Sequence, residues 1–209
     1  MKKILNDPYQ YVDEMLAGLC SAHPELYRQA GEAGRVIARS EKIKNGKVGI
    51  VSGGGSGHLP IFTGYVGQGL LDACAIGDVF ASPSVDQMAD AMREANGGAG
   101  VLRLYGNYGG DVMNFDMAGE MLEMEDVESS TVLLADDVAS ASKQEREKRR
   151  GVAGMVYAFK IAGAAVEEMN NLNEVTRIAQ KTADACHSVG AALTPVSYTH
   201  LTLPTMFEV

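Results

Sequence analysis

Residues 47–58 read KVGIVSGGGSGH, and the reading of this stretch decides the fold. Val48–Val51 is a short apolar run that ends in glycines, as a strand buried on both faces of a parallel sheet does. Pro60 follows where a first helical turn could begin, and Ile61, Tyr65 and Leu70 continue from it. A strand, a glycine loop and a helix in that order are the start of an α/β unit, and the loop lies where parallel α/β proteins bind ligands.

The same alternation runs outward in both directions. Ala73–Ile76 reads as a strand, and Ser84-Val85-Asp86 opens a helix carrying Met88, Ala91 and Met92. Gly100–Tyr105 (GVLRLY) is the next strand, followed by the loop Gly106-Asn107-Tyr108-Gly109-Gly110. Asp111 precedes a helix bearing Val112, Phe115, Ala118 and Leu122, and Thr131–Ala135 is a further apolar strand. Val152 to Met169 keeps a helical stripe, and Leu172 to about Val189 reads as another helix ended by Gly190. Upstream, Tyr9, Val12, Leu16 and Leu19 stand at helical spacing after Asp7-Pro8, and the stretch from there to Asn45-Gly46 reads as loose chain ending in a turn. The expectation is an α/β fold with a mostly parallel sheet flanked by helices.

The glycine loop fails the common phosphate and acyl motifs by one residue. G-x-G-x-x-G counted from Gly53 ends on His58, no lysine follows Gly57 as a P-loop requires, and G-x-S-x-G around Ser56 again ends on His58. Several glycines still allow backbone N–H groups to converge as a small nest. His58 at the loop's exit can act as a general base or accept from a hydroxyl, or it can simply tie its own loop together. Asp111 by itself reads as an ordinary N-cap. Paired with His58 on one edge of the sheet, it reads as part of a shared site for a ligand rich in hydroxyls.

Other candidates carry less. His23-Pro24 reads as a turn at a helix end, and His187 as a packed or exposed residue of the last helix. Asp136-Asp137 ends a strand without metal-ligand spacing. The run Lys143–Arg150 reads as an exposed charged loop whose unbalanced charges are Arg149 and Arg150. Cys20, Cys74 and Cys186 form no C-x-x-C pair and suggest neither a disulfide framework nor a zinc site. The formal net charge of −9 among 209 residues argues against nucleic acid or an anionic membrane as partner. MKKILNDPYQYVDEM has no apolar h-region and no run approaches membrane-spanning length, so the expectation is a reduced, cytoplasmic compartment.

On MKKILND, VDEMLAGL-x-x-AHP, SGGGSGH-x-P, GYVGQG, FASPS, GNYGGDVMNF, DDVA and RRGVAG, residues 1 to about 195 resemble the substrate-binding subunit of dihydroxyacetone kinase, the DhaK family. The resemblance implies a first domain of that type over 1–195 and a subunit that holds the ketose but no nucleotide of its own. In the family, ATP or ADP with magnesium sits on a separate helical, DhaL-type subunit, and the phosphoryl donor is ATP or a phosphocarrier of the phosphotransferase system. The resemblance also implies a homodimer. Carried onto this chain, the family's substrate contacts fall on Gly55, Ser56, Gly57, His58 and Asp111, with His58 and Asp111 orienting the substrate hydroxyl and helping to remove its proton. The related alternative is a ligand-sensing transcriptional co-activator without kinase activity.

Three departures stand out. Dihydroxyacetone-specific members carry a glutamate after the loop histidine and a lysine before Asn-Tyr, where this chain has Leu59 and Gly106. The branch acting on erythrulose resembles this version better. The family's second histidine, which bonds covalently to the substrate carbonyl, lies beyond the matching part, and His200 does not take its place. Residues 196–209 (VSYTHLTLPTMFEV) are similar to a tail that recurs on unrelated metagenomic reading frames. The expectation is that this tail is not native and that the truncated chain is inactive alone.

Overall fold

A computed structural model describes residues 5–191. Its centre is a six-stranded sheet made of β1 (Tyr27–Ala30), β2 (Val36–Arg39), β3 (Lys47–Gly55), β4 (Ala73–Gly77), β5 (Gly98–Gly106) and β6 (Ser129–Leu134). The order across the sheet is β1-β2-β4-β3-β5-β6. The four strands β4, β3, β5 and β6 are parallel, while β2 runs antiparallel to β4 and β1 antiparallel to β2. The parallel core follows the expected alternation, and the antiparallel edge makes the sheet mixed.

That edge departs from the reading of residues 23–46 as loose chain. Both strands are only four residues long, and β2 (VIAR) is buried at every position, so neither shows a period of two. Gly31 and Gly34, at φ +76° and +66°, supply the left-handed turn positions that join them.

The two faces of the sheet are read directly from the strand alternation. Ile37, Ile50, Cys74, Ile76, Leu102 and Leu104 face one core with α1 (Tyr11–Ala22), α4 (Gly154–Glu167) and α5 (Leu172–Ala185). Ala38, Val51, Ala73, Ala75, Val101 and Tyr105 face the other core with α2 (Val85–Ala95) and α3 (Gly109–Glu123). The second set is rich in small residues because α2 lies close. A Cβ at Gly49 would overlap the carbonyl oxygen of Ala95. Each fully buried Leu, Ile, Met or Phe contributes about 1.5–3 kcal/mol, so both faces are needed to hold the sheet.

Helix starts follow their signals in part. Ser84 and Gln87 form a reciprocal capping box at the start of α2, with Gln87 N–H donating to Ser84 Oγ at 3.2 Å and Ser84 N–H donating to Gln87 Oε1 at 2.9 Å. The helix expected from Pro60 does not form. Residues 56–66 make only the short 3₁₀ turns Ser56–His58 and Thr63–Tyr65, because Phe62 turns inward onto the glycine strand. The last helix ends at Ala185 and not near Val189, since Ser188 leaves the helical path to bond Asp136. Among the described residues no helix is long and apolar enough to cross a membrane. The 196–209 tail lies outside the described residues.

Candidate active site

The site begins with the glycine run, which is strand rather than loop: β3 continues through Gly53, Gly54 and Gly55. None of the residues 53–58 has a positive φ, so backbone freedom does not explain the glycines. Close approach does. A Cβ at Gly54 would collide with the Phe62 ring, and one at Gly55 would lie 3.0 Å from the carbonyl oxygens of Asp78 and Val79. The amides are also committed, with Ser56 N–H donating to Asp78 O at 3.1 Å and Gly57 N–H to Val79 O at 2.7 Å. The expected anion nest is therefore absent: these two N–H groups hold the 78–81 loop and do not converge on a ligand. Replacing Gly57 by alanine is expected to cost about 1–3 kcal/mol in urea unfolding, because its Cβ overlaps the Val79 carbonyl.

Beyond the carboxyl ends of the parallel strands lies a cavity of about 640 Å³, lined among others by Gly54, Gly55, His58, Tyr108, Asp111 and Arg150. His58 stands exposed at the end of its 3₁₀ turn. Asp111 is brought to the same cavity by α3. It is not the N-cap of that helix. Tyr108 occupies the cap position without a side-chain capping bond, and Asp111 sits two residues inside the first turn. There it is 8% exposed, and its Oδ1 is buried without a hydrogen-bond partner. Burial pushes the carboxyl up to about 6, against a smaller lowering by the Ser82 side chain. Of the five residues anticipated, Gly55, His58 and Asp111 line the cavity. Ser56 and Gly57 are not among its lining residues, and Ser56 Oγ is buried and unpartnered.

Several residues of the site gave no sequence signal of the contacts they make. The Tyr108 hydroxyl donates to Gly151 O at 2.8 Å, and burial pushes its pKa up to about 12. Asn107 Nδ2 donates to Glu147 O at 2.7 Å and Arg149 O at 2.8 Å, holding the charged 143–150 segment against the end of β5. Arg150 is not an unbalanced surface charge. It lines the cavity and pairs with Asp137 at 3.2 Å. Asp136 serves the fold. Its carboxylate accepts from Val152 N, Gly154 N and Ser188 Oγ at 2.9, 2.8 and 2.6 Å, which fixes the start of α4.

The two departures at Leu59 and Gly106 have physical consequences. Leu59 is half-buried against the α1–α4–α5 core. A Cβ at Gly106 would lie 2.8 Å from Tyr108 Cε2 and 3.2 Å from Met155 Sδ. A longer side chain at 106 would have to displace the Tyr108 ring, so this wall of the site is aromatic where a lysine would make it cationic.

The Dak1 domain profile matches residues 17–207. The chain belongs to the Dak1 domain family. This Dak1 chain is 45% identical over 195 residues to the dihydroxyacetone-binding subunit DhaK of a phosphotransferase-system-dependent dihydroxyacetone kinase of Listeria innocua, covering 93% of this chain and 59% of that protein. It is 42% identical over 192 residues to a D-erythrulose kinase of Mycolicibacterium smegmatis, covering 92% of this chain and 33% of that protein. The Dak1 chain thus spans less than two thirds of the curated relatives' length. Among solved structures, dihydroxyacetone kinase from C. freundii in complex with AMP-PNP and Mg²⁺ superposes with a TM-score of 0.80 at 34% identity, covering 88% of this chain and 34% of that one. The dihydroxyacetone kinase operon co-activator Dha-DhaQ superposes with a TM-score of 0.79 at 30% identity, covering 93% and 59%.

Proposed function

We propose that this Dak1 chain is the ketose-holding part of a ketose kinase, presenting dihydroxyacetone or a related short ketose such as erythrulose for phosphorylation. The observation that carries the reading is the meeting of His58 with a buried, partly unpartnered Asp111 in one cavity at the carboxyl edge of the sheet. A hydroxyl donating to Asp111 Oδ1 would satisfy that atom, and His58 would orient the same or a neighbouring hydroxyl. A carboxylate raised to about 6 is a better proton acceptor at neutral pH than an ordinary one. As the substrate oxygen bonds to phosphorus, its proton would pass to Asp111.

The phosphoryl group would come from outside the chain. The Ser56 and Gly57 amides are committed to the 78–81 loop, so the glycine run does not fit a nucleotide phosphate. ATP or ADP with magnesium on a helical DhaL-type partner subunit is the source this reading requires, recharged directly or by a phosphocarrier of the phosphotransferase system. A homodimer and a cytoplasmic location belong to the same reading.

The test is calorimetric titration of dihydroxyacetone and erythrulose into the chain and its His58→Ala variant. Binding of at least one ketose is expected, weakened about tenfold or more by the substitution. Absence of binding by the unmodified chain would sink the reading. The likeness to the Dha-DhaQ co-activator supports a second outcome, in which the ketose binds but no nucleotide-bearing partner transfers phosphate to it.

A further inference from the structure

The loop after β4, residues 78–84, forms one wall of the ketose cavity and touches both halves of the site. Its Asp78 and Val79 carbonyls hold the Ser56 and Gly57 amides, immediately before His58. Its Ser82 meets the first turn of α3, since a Cβ at Gly110 would lie 2.6 Å from Ser82 Oγ. Asn114 Nδ2 of the same helix donates to Pro83 O at 2.7 Å. The loop therefore sets the position of His58 relative to Asp111.

What anchors the loop is a charge cluster on its far side. Arg35, just before β2, donates through Nε to Asp13 Oδ1 at 2.5 Å and through Nη2 to Asp13 Oδ2 at 3.3 Å. Its Nη1 donates to Asp78 Oδ1 at 3.0 Å. The Arg35 side chain is only 13% exposed, whereas that of Asp78 is 74% exposed and would otherwise move with solvent. The fork geometry lets one guanidinium grip α1 and the loop at once, which a lysine cannot do with both oxygens of Asp13. A second cavity of about 420 Å³, lined by Asp13, Arg35, Asp78 and Ser82 among others, lies beside this cluster.

We propose that Arg35 is a positioning residue of the site: by clamping Asp78 to Asp13 it registers the 78–82 loop, and through that loop it sets His58 against Asp111 and keeps Ser82 beside the Asp111 carboxyl. Arg35 touches no reacting atom. Its effect on ligand affinity rests on the ketose-binding reading, but its effect on the loop and on Asp111 does not.

The test uses the full chain with Arg35→Gln, Arg35→Lys and Asp78→Ala, the last removing the acceptor of the loop arm at an exposed side chain. Carbon-detected NMR follows the Asp111 carboxyl through pH, and hydrogen exchange follows the Gly57 amide. His58, Tyr108, Asp137 and Arg150 also line the cavity and stay unchanged in every variant. Because Ser82 lowers the Asp111 pKa, loss of the clamp is expected to move its midpoint upward from about 6 in Arg35→Gln and Asp78→Ala. Gly57 exchange should accelerate about tenfold in both, with partial recovery in Arg35→Lys. Dihydroxyacetone affinity should fall about tenfold in parallel. An unchanged Asp111 midpoint and unchanged Gly57 exchange in Asp78→Ala would overturn the proposal even if Arg35→Gln failed to fold. A chain that binds no ketose but shows both shifts would leave the clamp standing and remove only the ketose reading.

Discussion

Asp111→Asn is expected to raise the stability of the fold above pH 7 by about 2–3 kcal/mol while weakening ketose binding about tenfold or more. The reason is that the wild-type carboxylate is held where the fold disfavours its charge. Its pKa is raised from an ordinary 3.8 to about 6, so the folded protein prefers the protonated acid more than the unfolded chain does. Stability from this group is complete below about pH 4, declines as pH rises through about 6, and is absent at neutral pH. Asparagine keeps the shape and carries no charge, so it escapes that cost. For a domain of this size the gain corresponds to a rise of about 4–12 °C in Tm at pH 8. The difference between variant and wild type should shrink towards zero as the pH is lowered to about 4. A stability difference independent of pH would overturn the argument. A site residue whose removal strengthens the fold is one the fold holds for chemistry.

The parallel core was legible because its signals are local. Val48–Val51, Ala73–Ile76, Gly100–Tyr105 and Thr131–Ala135 are apolar runs bounded by turn residues, and each coincides with a strand, the last overrunning its strand by one residue. The site was legible as a pairing of His58 with Asp111 because both follow such runs on one edge of the sheet. What could not be read depended on partners distant in sequence. The β1–β2 hairpin is too short to show a period. The glycines of β3 look like a flexible loop until Phe62 and the 78–81 carbonyls are in place against them. Asp111 passes for a cap because its burial is created by neighbouring elements. Arg150 sits in a run of eight mostly charged residues, where nothing local distinguishes it from Arg149. Only the fold brings Asp137 to it.

Lys47 illustrates the same limit at the opposite end of β3, and it leads to the largest expected loss of stability. A lysine opening a strand reads as a solvated flank, yet this one is 1% exposed. Its Nζ lies 2.7 Å from Asp72 Oδ1 and 3.0 Å from Glu167 Oε1, while Arg39 Nη1 approaches the same Asp72 oxygen at 3.1 Å. The other Asp72 oxygen accepts the Ile50 N–H at 3.0 Å. Asp72→Ala would leave Lys47 with only Glu167, which it shares with Arg39 and Lys44, and one buried amide without its acceptor. The expected cost is about 3–5 kcal/mol in urea unfolding, because breaking one side of a buried ion cluster strands the other. Adding Lys47→Met removes the stranded charge, so the double variant should be less destabilised than the sum of the two single ones by about 0.5–3 kcal/mol. Additive losses would show that the cluster is not coupled. Ketose affinity of the folded variants should not change, since Asp72 lies beside Ile50, about 17 Å along β3 from Gly55 at the cavity. The strand thus keeps its paired charges towards one end, away from the glycine end that borders the cavity shared with Asp111.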